Sequence, residues 1–466
     1  MRAARDDPEA QQRQAISRLL DYYLHTADQA DRVLHPFRRR MRVPVTHLPA
    51  ARLTLGTEDD ATAWLDAEWR NILQAAQHAG RHEWKQKCAD LTHVLADFIE
   101  IRAHWDEAIA AHTAALQTCR DLADPARTAQ AALALSSVSQ QTGRHEAALA
   151  LAQEAAELYR SLADRRGEAE ALDLIGTAHW RATRYREALA YYHEARILYR
   201  GTADRHGVAA TLSHSGIASW HLGRSGEAMT HLHDALAGYR RIGDRRGEAK
   251  TLNNLGQIYL YSGLHRDALD AYEDSRAIFT EIGGAQNEAI LSHNIGAVYR
   301  YKGQYEQGLA ECRRALAIYR DIGDLLDEAD VLNEIGAIYQ SAACPDEALL
   351  HHQQARLIAE EIGNLSQQLI ALRRIADIHR GSGQHGDAFE HYRSALRLAM
   401  EAGDPYEEGK ILEGIAESTL GTQRPDAARI VFRQALDIFE RLGVPEAESA
   451  RIRIETLDRA FGLRAS

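Results

Sequence analysis

Residues 164–203 read DRRGEAEALDLIGTAHWRATRYREALAYYHEARILYRGTA, and two helical patterns follow one another inside these forty positions. Leu172, Ile175, Gly176 and His179 fall at i, i+3, i+4 and i+7, one face of a helix. After a break at Ala182–Tyr185, a second helical stripe runs through Ala188, Leu189, Tyr192, Ala195 and Tyr199. Small residues at 176, 188 and 195 let the two helices approach, while Leu172, Tyr192 and Tyr199 fill the space between successive hairpins. The pattern recurs in steps of forty. From Gly176 it reaches Gly216, Gly256, Gly296 and Gly336, then Ala376 and Ala416. Twelve residues after each anchor stand Ala188, Ala228, Ala268, Gly308, Ala348, Ala388 and Ala428. A fixed period of this length specifies a solenoid, one helix hairpin stacked many times.

The bulk properties fit a binding scaffold. A formal charge of −12 argues against nucleic-acid binding by the chain as a whole. Cys88, Cys119, Cys312 and Cys344 are far apart with no CxxC pair, which reads as reduced thiols in a cytoplasmic protein. The first thirty residues are charged throughout, so no signal peptide is expected, and no run of eighteen apolar residues exists to span a membrane. His351–His352 and the pair His231 and His233 lack a further ligand at metal spacing, so neither a metal nor a cofactor is expected. No nucleophile–base pair or paired carboxylates stand out, which weighs against an enzyme.

The residue order resembles the tetratricopeptide repeat. Around Gly256 the match runs Leu252, Leu255, Gly256, Tyr259, Ala268, Tyr272 and Ser275. Gly243–Asp244, Gly323–Asp324 and Gly403–Asp404 each place a helix-ending Gly before an Asp suited to cap the next helix. Extending the frame gives nine repeats over 84–443, the first divergent, and a capping helix over 446–461 within a tail of 444–466. The expected fold is all-α: a right-handed superhelical solenoid of about nine forty-residue hairpins, preceded by a helical N-terminal segment over 1–83.

In that segment, residues 9–27 and 29–40 read as two helices, the second ending in Arg38, Arg39 and Arg40. A loop with Pro44, Pro49 and Gly56 leads to a third helix over 59–79. The strings RLLDYYLHTADQADRVLHPFRRRM (18–41) and AWLDAEWRNILQAAQHA (63–79) resemble the segment that joins two parts of actinobacterial SARP and STAND transcriptional regulators. In that family an NB-ARC ATPase domain and a winged helix precede such a segment, and long tetratricopeptide repeats follow it. No GxxxxGK[ST] phosphate loop occurs in the sequence. The resemblance therefore implies the C-terminal sensor region of such a regulator, controlling an NB-ARC ATPase and a DNA-binding module that lie outside this sequence.

Mapping the family's groove positions onto the first helix of each repeat gives a candidate binding face: Trp180, Arg181, Trp220, His221, Asn253, Gln257, Tyr261, His293, Arg300, Tyr301, Asn333, Gln340, Arg373 and Arg380. Trp180 and Trp220 would form neighbouring aromatic shelves, and the amides at 253, 257 and 333 suit a peptide backbone. Arg300, Arg373 and Arg380 suit carboxylates or phosphates. Each has a plainer reading beside it: a Trp that packs between repeats, an Arg that is only solvated, and an Arg38–Arg40 run that complements a helix C-terminus. The expected function is binding of a peptide, protein segment or small effector in the groove. The alternative is a stand-alone peptide receptor similar to quorum-sensing receptors.

Overall fold

The computed structural model describes residues 8–49, 53–102, 104–444 and 446–461, and every regular element among them is a helix. Two helices lead, α1 (Pro8–Leu34) and α2 (Glu58–Arg81). Nine antiparallel hairpins follow. The first four pair α3 (Lys85–Ile101) with α4 (Trp105–Asp121), α5 (Pro125–Gln141) with α6 (His145–Ser161), α7 (Arg165–Arg181) with α8 (Tyr185–Gly201), and α9 (Arg205–His221) with α10 (Ser225–Ile242). The next pair α11 (Arg245–Tyr261) with α12 (His265–Ile282), and α13 (Ala285–Tyr301) with α14 (Tyr305–Ile322). The last three pair α15 (Leu325–Ser341) with α16 (Pro345–Glu361), α17 (Leu365–Gly381) with α18 (His385–Ala402), and α19 (Pro405–Gly421) with α20 (Pro425–Leu442); α21 (Glu446–Phe461) ends the array. This is the tetratricopeptide solenoid that the period specifies.

The hairpins form where they do because each boundary is chemically marked. Asp124, Asp164, Asp204, Asp244, Asp324, Asn364 and Asp404 each accept the backbone N–H three residues on, capping the first helix of a repeat. Each cap contributes about 1 kcal/mol. Before four of them, Gly243, Gly323, Gly363 and Gly403 adopt φ of 73°, 73°, 67° and 67°, the left-handed turn that follows the preceding helix. The turn before α13 departs from the series: Gly284 replaces the Asp and supplies no side-chain cap.

The anchor glycines work by close approach. A Cβ built on Gly176 would lie 2.6 Å from the Tyr192 ring, and one on Gly256 2.6 Å from Tyr272. The ring sixteen residues on thus lies flat against the bare backbone of the partner helix. Gly336 stands in the same relation to His352, a fully buried ring where three other repeats carry Tyr, and burial pushes its pKa down to about 3. The one anchor Ala with a Tyr opposite is compensated. Tyr392, facing Ala376, lies against Gly414, where an added Cβ would come within 2.4 Å of its ring.

The chain divides into two compact halves, residues up to Asn254 and from Leu255 on. Within each half, successive first helices touch: α3, α5, α7 and α9 in one, α13, α15, α17 and α19 in the other. Successive second helices do not approach comparably, so the first helices form the inner row. In the C-terminal half, Ile454 and Leu457 of α21 pack on Phe432 and Ala416.

The N-terminal segment differs from the sequence expectation in one respect. Residues 8–34 form a single helix, not two, because nothing between 27 and 29 interrupts it. Pro36 sets its end, since a proline disfavours helical geometry in the residue before it. Arg38–Arg40 therefore lie outside any helix rather than at a helix C-terminus.

Gly176→Ala is expected to destabilise the protein by about 1–3 kcal/mol through overpacking against Tyr192. The helix-propensity gain of about 1 kcal/mol does not offset this, because the His214 ring, 5.3 Å from Tyr192, blocks the ring's retreat. A lower thermal midpoint with faster amide exchange in α7 and α8 would show it; unchanged stability would refute the close-packing argument.

Candidate partner-binding face

The inner row of the N-terminal half already holds a stretch of polypeptide. Past Pro36 the chain crosses the first helices of successive repeats. Arg38 donates to the His93 carbonyl at 2.9 Å and pairs with Asp97 of α3 at 3.3 Å. Arg39 reaches Gln130 of α5 at 3.0 Å and the Tyr159 hydroxyl at 3.0 Å. Its guanidinium also pairs with Asp164 and lies 3.6 Å from Glu170 of α7. Phe37 stacks on His206 of α9, with centroids 5.3 Å apart and planes within 3°. Glu58, at the start of α2, takes Arg246 of α11 at 3.0 Å.

The root of this strap is a knot of charge. Asp31 is buried and takes His35, Arg38 and Arg40, each at 3.0 Å. Burial works to raise its pKa, but these bases hold it below the usual carboxylate range. Asp31, His35 and Asp97 have the mutual spacing of metal ligands, yet two guanidinium groups occupy the carboxylate, so it serves as an ion-pair hub. Asp21, fully buried, likewise accepts Lys87 at 2.9 Å and the backbone N–H of His47 at 3.0 Å. The sequence reading missed this strap. The partners of Arg39 are at least 91 residues away, beyond any local pattern.

Of the expected groove residues in this half, Trp180 packs among Ala188, Leu189, Tyr192 and Ala218, with its ring edge-on to His221 at 5.8 Å. His221 stacks flat on Tyr185 at 4.7 Å and meets Trp220 at 4.9 Å. Trp180, Tyr185, Trp220 and His221 thus make one aromatic cluster. Arg181 donates to Gln141, its equivalent one repeat earlier, at 2.8 Å. Asn253 is half-buried on α11.

In the C-terminal half the basic groups are engaged by the next repeat. Arg300 binds Glu334 at 2.6 Å, Arg373 binds Glu407 at 2.8 Å, and Arg380 binds Glu417 at 2.6 Å. His293 faces Asp330 at 3.6 Å. Asn333 is buried, hydrogen-bonded to His352 at 3.0 Å and donating to Gln367 at 3.2 Å. These contacts make a ladder along the inner row that fixes the stacking of repeats. The more exposed residues of the row are aromatic and amide. Tyr261 and Tyr301 are 61% and 48% exposed, Gln257 is exposed and Gln340 half-buried. Arg300 lies over the Tyr301 ring at 4.4 Å, and His265 stacks on that ring at 5.7 Å.

The Tetratricopeptide repeat family model matches residues 127–201, 207–281, 287–361 and 367–441, more than half of the sequence. The chain belongs to the tetratricopeptide repeat family. A search of curated proteins found no match. Among solved structures, it is similar to a Signal Transduction ATPase with Numerous Domains (STAND) protein with a tetratricopeptide repeat sensor from Pyrococcus horikoshii. That likeness has 16% identity and a TM-score of 0.54, over 74% of this chain and 52% of that one, so the chain spans about half that protein's length. It is also similar to the apo form of the quorum sensor NprR from B. thuringiensis, at 16% identity and a TM-score of 0.53, over 80% of this chain and 99% of that one. At such identities the likeness is one of fold.

Arg39→Ala removes a charge-assisted contact set worth about 1.5–3 kcal/mol. Amide exchange in residues 36–48 is expected to accelerate roughly tenfold or more, with α13–α20 unchanged; an unaltered strap would show that Arg39 does not anchor it.

Glu100 supplies a pH test. Burial pushes its carboxyl up to about 7; Asp97 adds to this, against a hydrogen bond from Ser137 at 2.8 Å and the charge of Arg38. Between the ordinary 4.5 and about 7 the folded protein keeps a proton that the unfolded chain has released, so stability falls as pH rises through that window. Glu100→Gln is expected to raise the thermal midpoint at alkaline pH, with the gain vanishing at acid pH below the ordinary carboxylate range. A pH-independent difference would contradict this.

Proposed function

We propose that this chain is the non-catalytic sensing array of a STAND-type, SARP-like transcriptional regulator. It binds a peptide, protein segment or small effector along its inner row and passes that state to an NB-ARC ATPase and DNA-binding module, in the same chain or a partner chain. One observation carries the binding part: a non-helical stretch of polypeptide, Phe37–Arg40, already lies across the first helices of the N-terminal half, held by side chains at successive repeats. The regulatory part is supported by the resemblance of residues 18–41 and 63–79 and by the fold shared with a STAND protein that has a tetratricopeptide repeat sensor.

On this reading Tyr261, Tyr301, Gln257 and Gln340 make direct contacts in the C-terminal half. Trp180, Trp220 and His221 present an aromatic cluster, with Arg181 next to it in the chain and Asn253 on α11, the first helix of the following repeat. Arg300, Arg373, Arg380, His293 and Asn333 position the row. The four cysteines are free thiols, and no helix among the described residues is long and apolar enough to cross a membrane; we assign the protein to the cytoplasm.

A second reading is a stand-alone peptide receptor. It is favoured by one fact: the quorum sensor NprR is matched over 99% of its length, the STAND protein over 52%.

Mixing the purified chain with an NB-ARC domain from a regulator of the resembling class separates the two. Under the first reading the domains associate, and the ATPase affinity for ATP shifts by about fivefold or more. No association, together with saturable binding of a short peptide, would favour the second.

A further inference from the structure

The site that grips Arg39 is built from repeat positions, and the same positions recur 160 residues later. Tyr159, Asp164 and Glu170 hold the guanidinium, which also lies 4.8 Å over the Tyr159 ring. Four repeats on stand Tyr319, Asp324 and Asp330, with Asp327 in place of Gly167. The intervening acids find their cations inside the array. Asp204 takes Arg166 at 2.5 Å, and Asp244 takes His206 at 3.3 Å with Lys250 nearby. Asp324 instead receives the neutral amide of Gln286 at 3.2 Å. Asp330 has His293 at 3.6 Å and the Gln367 amide at 3.4 Å. Among the described residues no Lys or Arg pairs with Asp324, Asp327 or Asp330.

We propose that Tyr319, Asp324, Asp327 and Asp330 form a second arginine cradle, which takes an arginine from an extended segment of a partner protein. This rests on the interaction reading above and gives the partner a chemistry. Beside the cradle, Leu325 and Leu326 are 36% and 43% exposed, where the occupied cradle has Arg165 and Arg166. The partner segment therefore carries an apolar residue next to its arginine, as Phe37 accompanies Arg39. Burial, together with the charges of Asp324 and Asp330, pushes the Asp327 carboxyl up to about 6, which a guanidinium beside it would relieve. A guanidinium rather than a metal suits the geometry, because these carboxylates do not converge to metal-ligand spacing. Planar, forked donors match several carboxylates and a phenol at once.

The test uses the full chain and a fluorescent peptide copying residues 35–42, His-Pro-Phe-Arg-Arg-Arg-Met-Arg. Anisotropy is expected to show saturable binding. The affinity should weaken by about tenfold or more in an Asp327→Asn, Asp330→Asn double variant, and when the peptide arginines become lysines. Removing like charges should leave the fold intact, which circular dichroism checks. Equal binding by wild type and double variant overturns the cradle while leaving a partner elsewhere on the face. No binding up to about 1 mM overturns it outright. Calcium binding in place of peptide, or concentration-dependent self-association lost in the double variant, would replace the partner arginine with a cation or a second copy. The ATPase assay above does not depend on this result, so the two proposals can fail separately.

Discussion

The structure depends on one close contact made again and again: an aromatic or other bulky side chain laid on a glycine of the facing helix. At Gly176 and Gly256 the space a methyl group would need is filled by Tyr192 and Tyr272, and at Gly216 by Leu232. Because interiors are packed to crystalline density, that contact sets the distance between the helices of a hairpin. A second set sets the distance between hairpins, with Tyr159, Tyr199 and Tyr239 lying on Gly167, Gly207 and Gly247. Forty residues is the chain length needed to return to the same contact. Where the glycine is lost at 376, the ring opposite is accommodated by a new glycine at 414, so the constraint is met by other means.

Packing alone leaves the inner row polar, and that row is where the halves use their charge. In the C-terminal half, Arg300, Arg373 and Arg380 are tied to Glu334, Glu407 and Glu417 of the following repeat. Breaking a half-buried pair of this kind costs more than an exposed one, because the abandoned partner keeps its desolvation penalty. These arginines therefore order the row on which the exposed tyrosines stand. In the N-terminal half the acids of the row are satisfied partly from outside the repeats, by the strap of residues 35–40. Function in a repeat protein lives in such departures from the repeat, since identical repeats would offer identical surfaces.

The candidate face was partly legible. Periodicity alone could put Trp180, Trp220, Tyr261 and Tyr301 on first helices, because helical spacing fixes which side chains share a face. It could not say that Trp180 would be enclosed by Ala188, Leu189, Tyr192 and Ala218, or that Asn333 would lie buried between His352 and Gln367. Those outcomes depend on the tilt between neighbouring hairpins. Arg38–Arg40 show the limit most clearly. A run of arginines after a long helical pattern suits a helix terminus, yet Pro36 ends the helix first; Arg38 and Arg39 reach the distant Asp97 and Asp164, and Arg40 turns back to Asp31.

By itself the sequence determined the repeat, its period, the turns and the caps, because each rests on interactions within a few residues: an Asp accepting an N–H three positions on, or a Gly able to take a left-handed turn. It also determined which residues could be neighbours, forty apart. Only the tertiary structure decided which charges were already spent. The pairs made by Arg373, Arg380 and Arg39 join residues 34, 37 and 125 positions apart, and their formation depends on where rigid elements bring their side chains. That is why Asp164 and Asp324, equivalent in the repeat, differ in the folded protein, one paired with Arg39 and the other receiving the Gln286 amide.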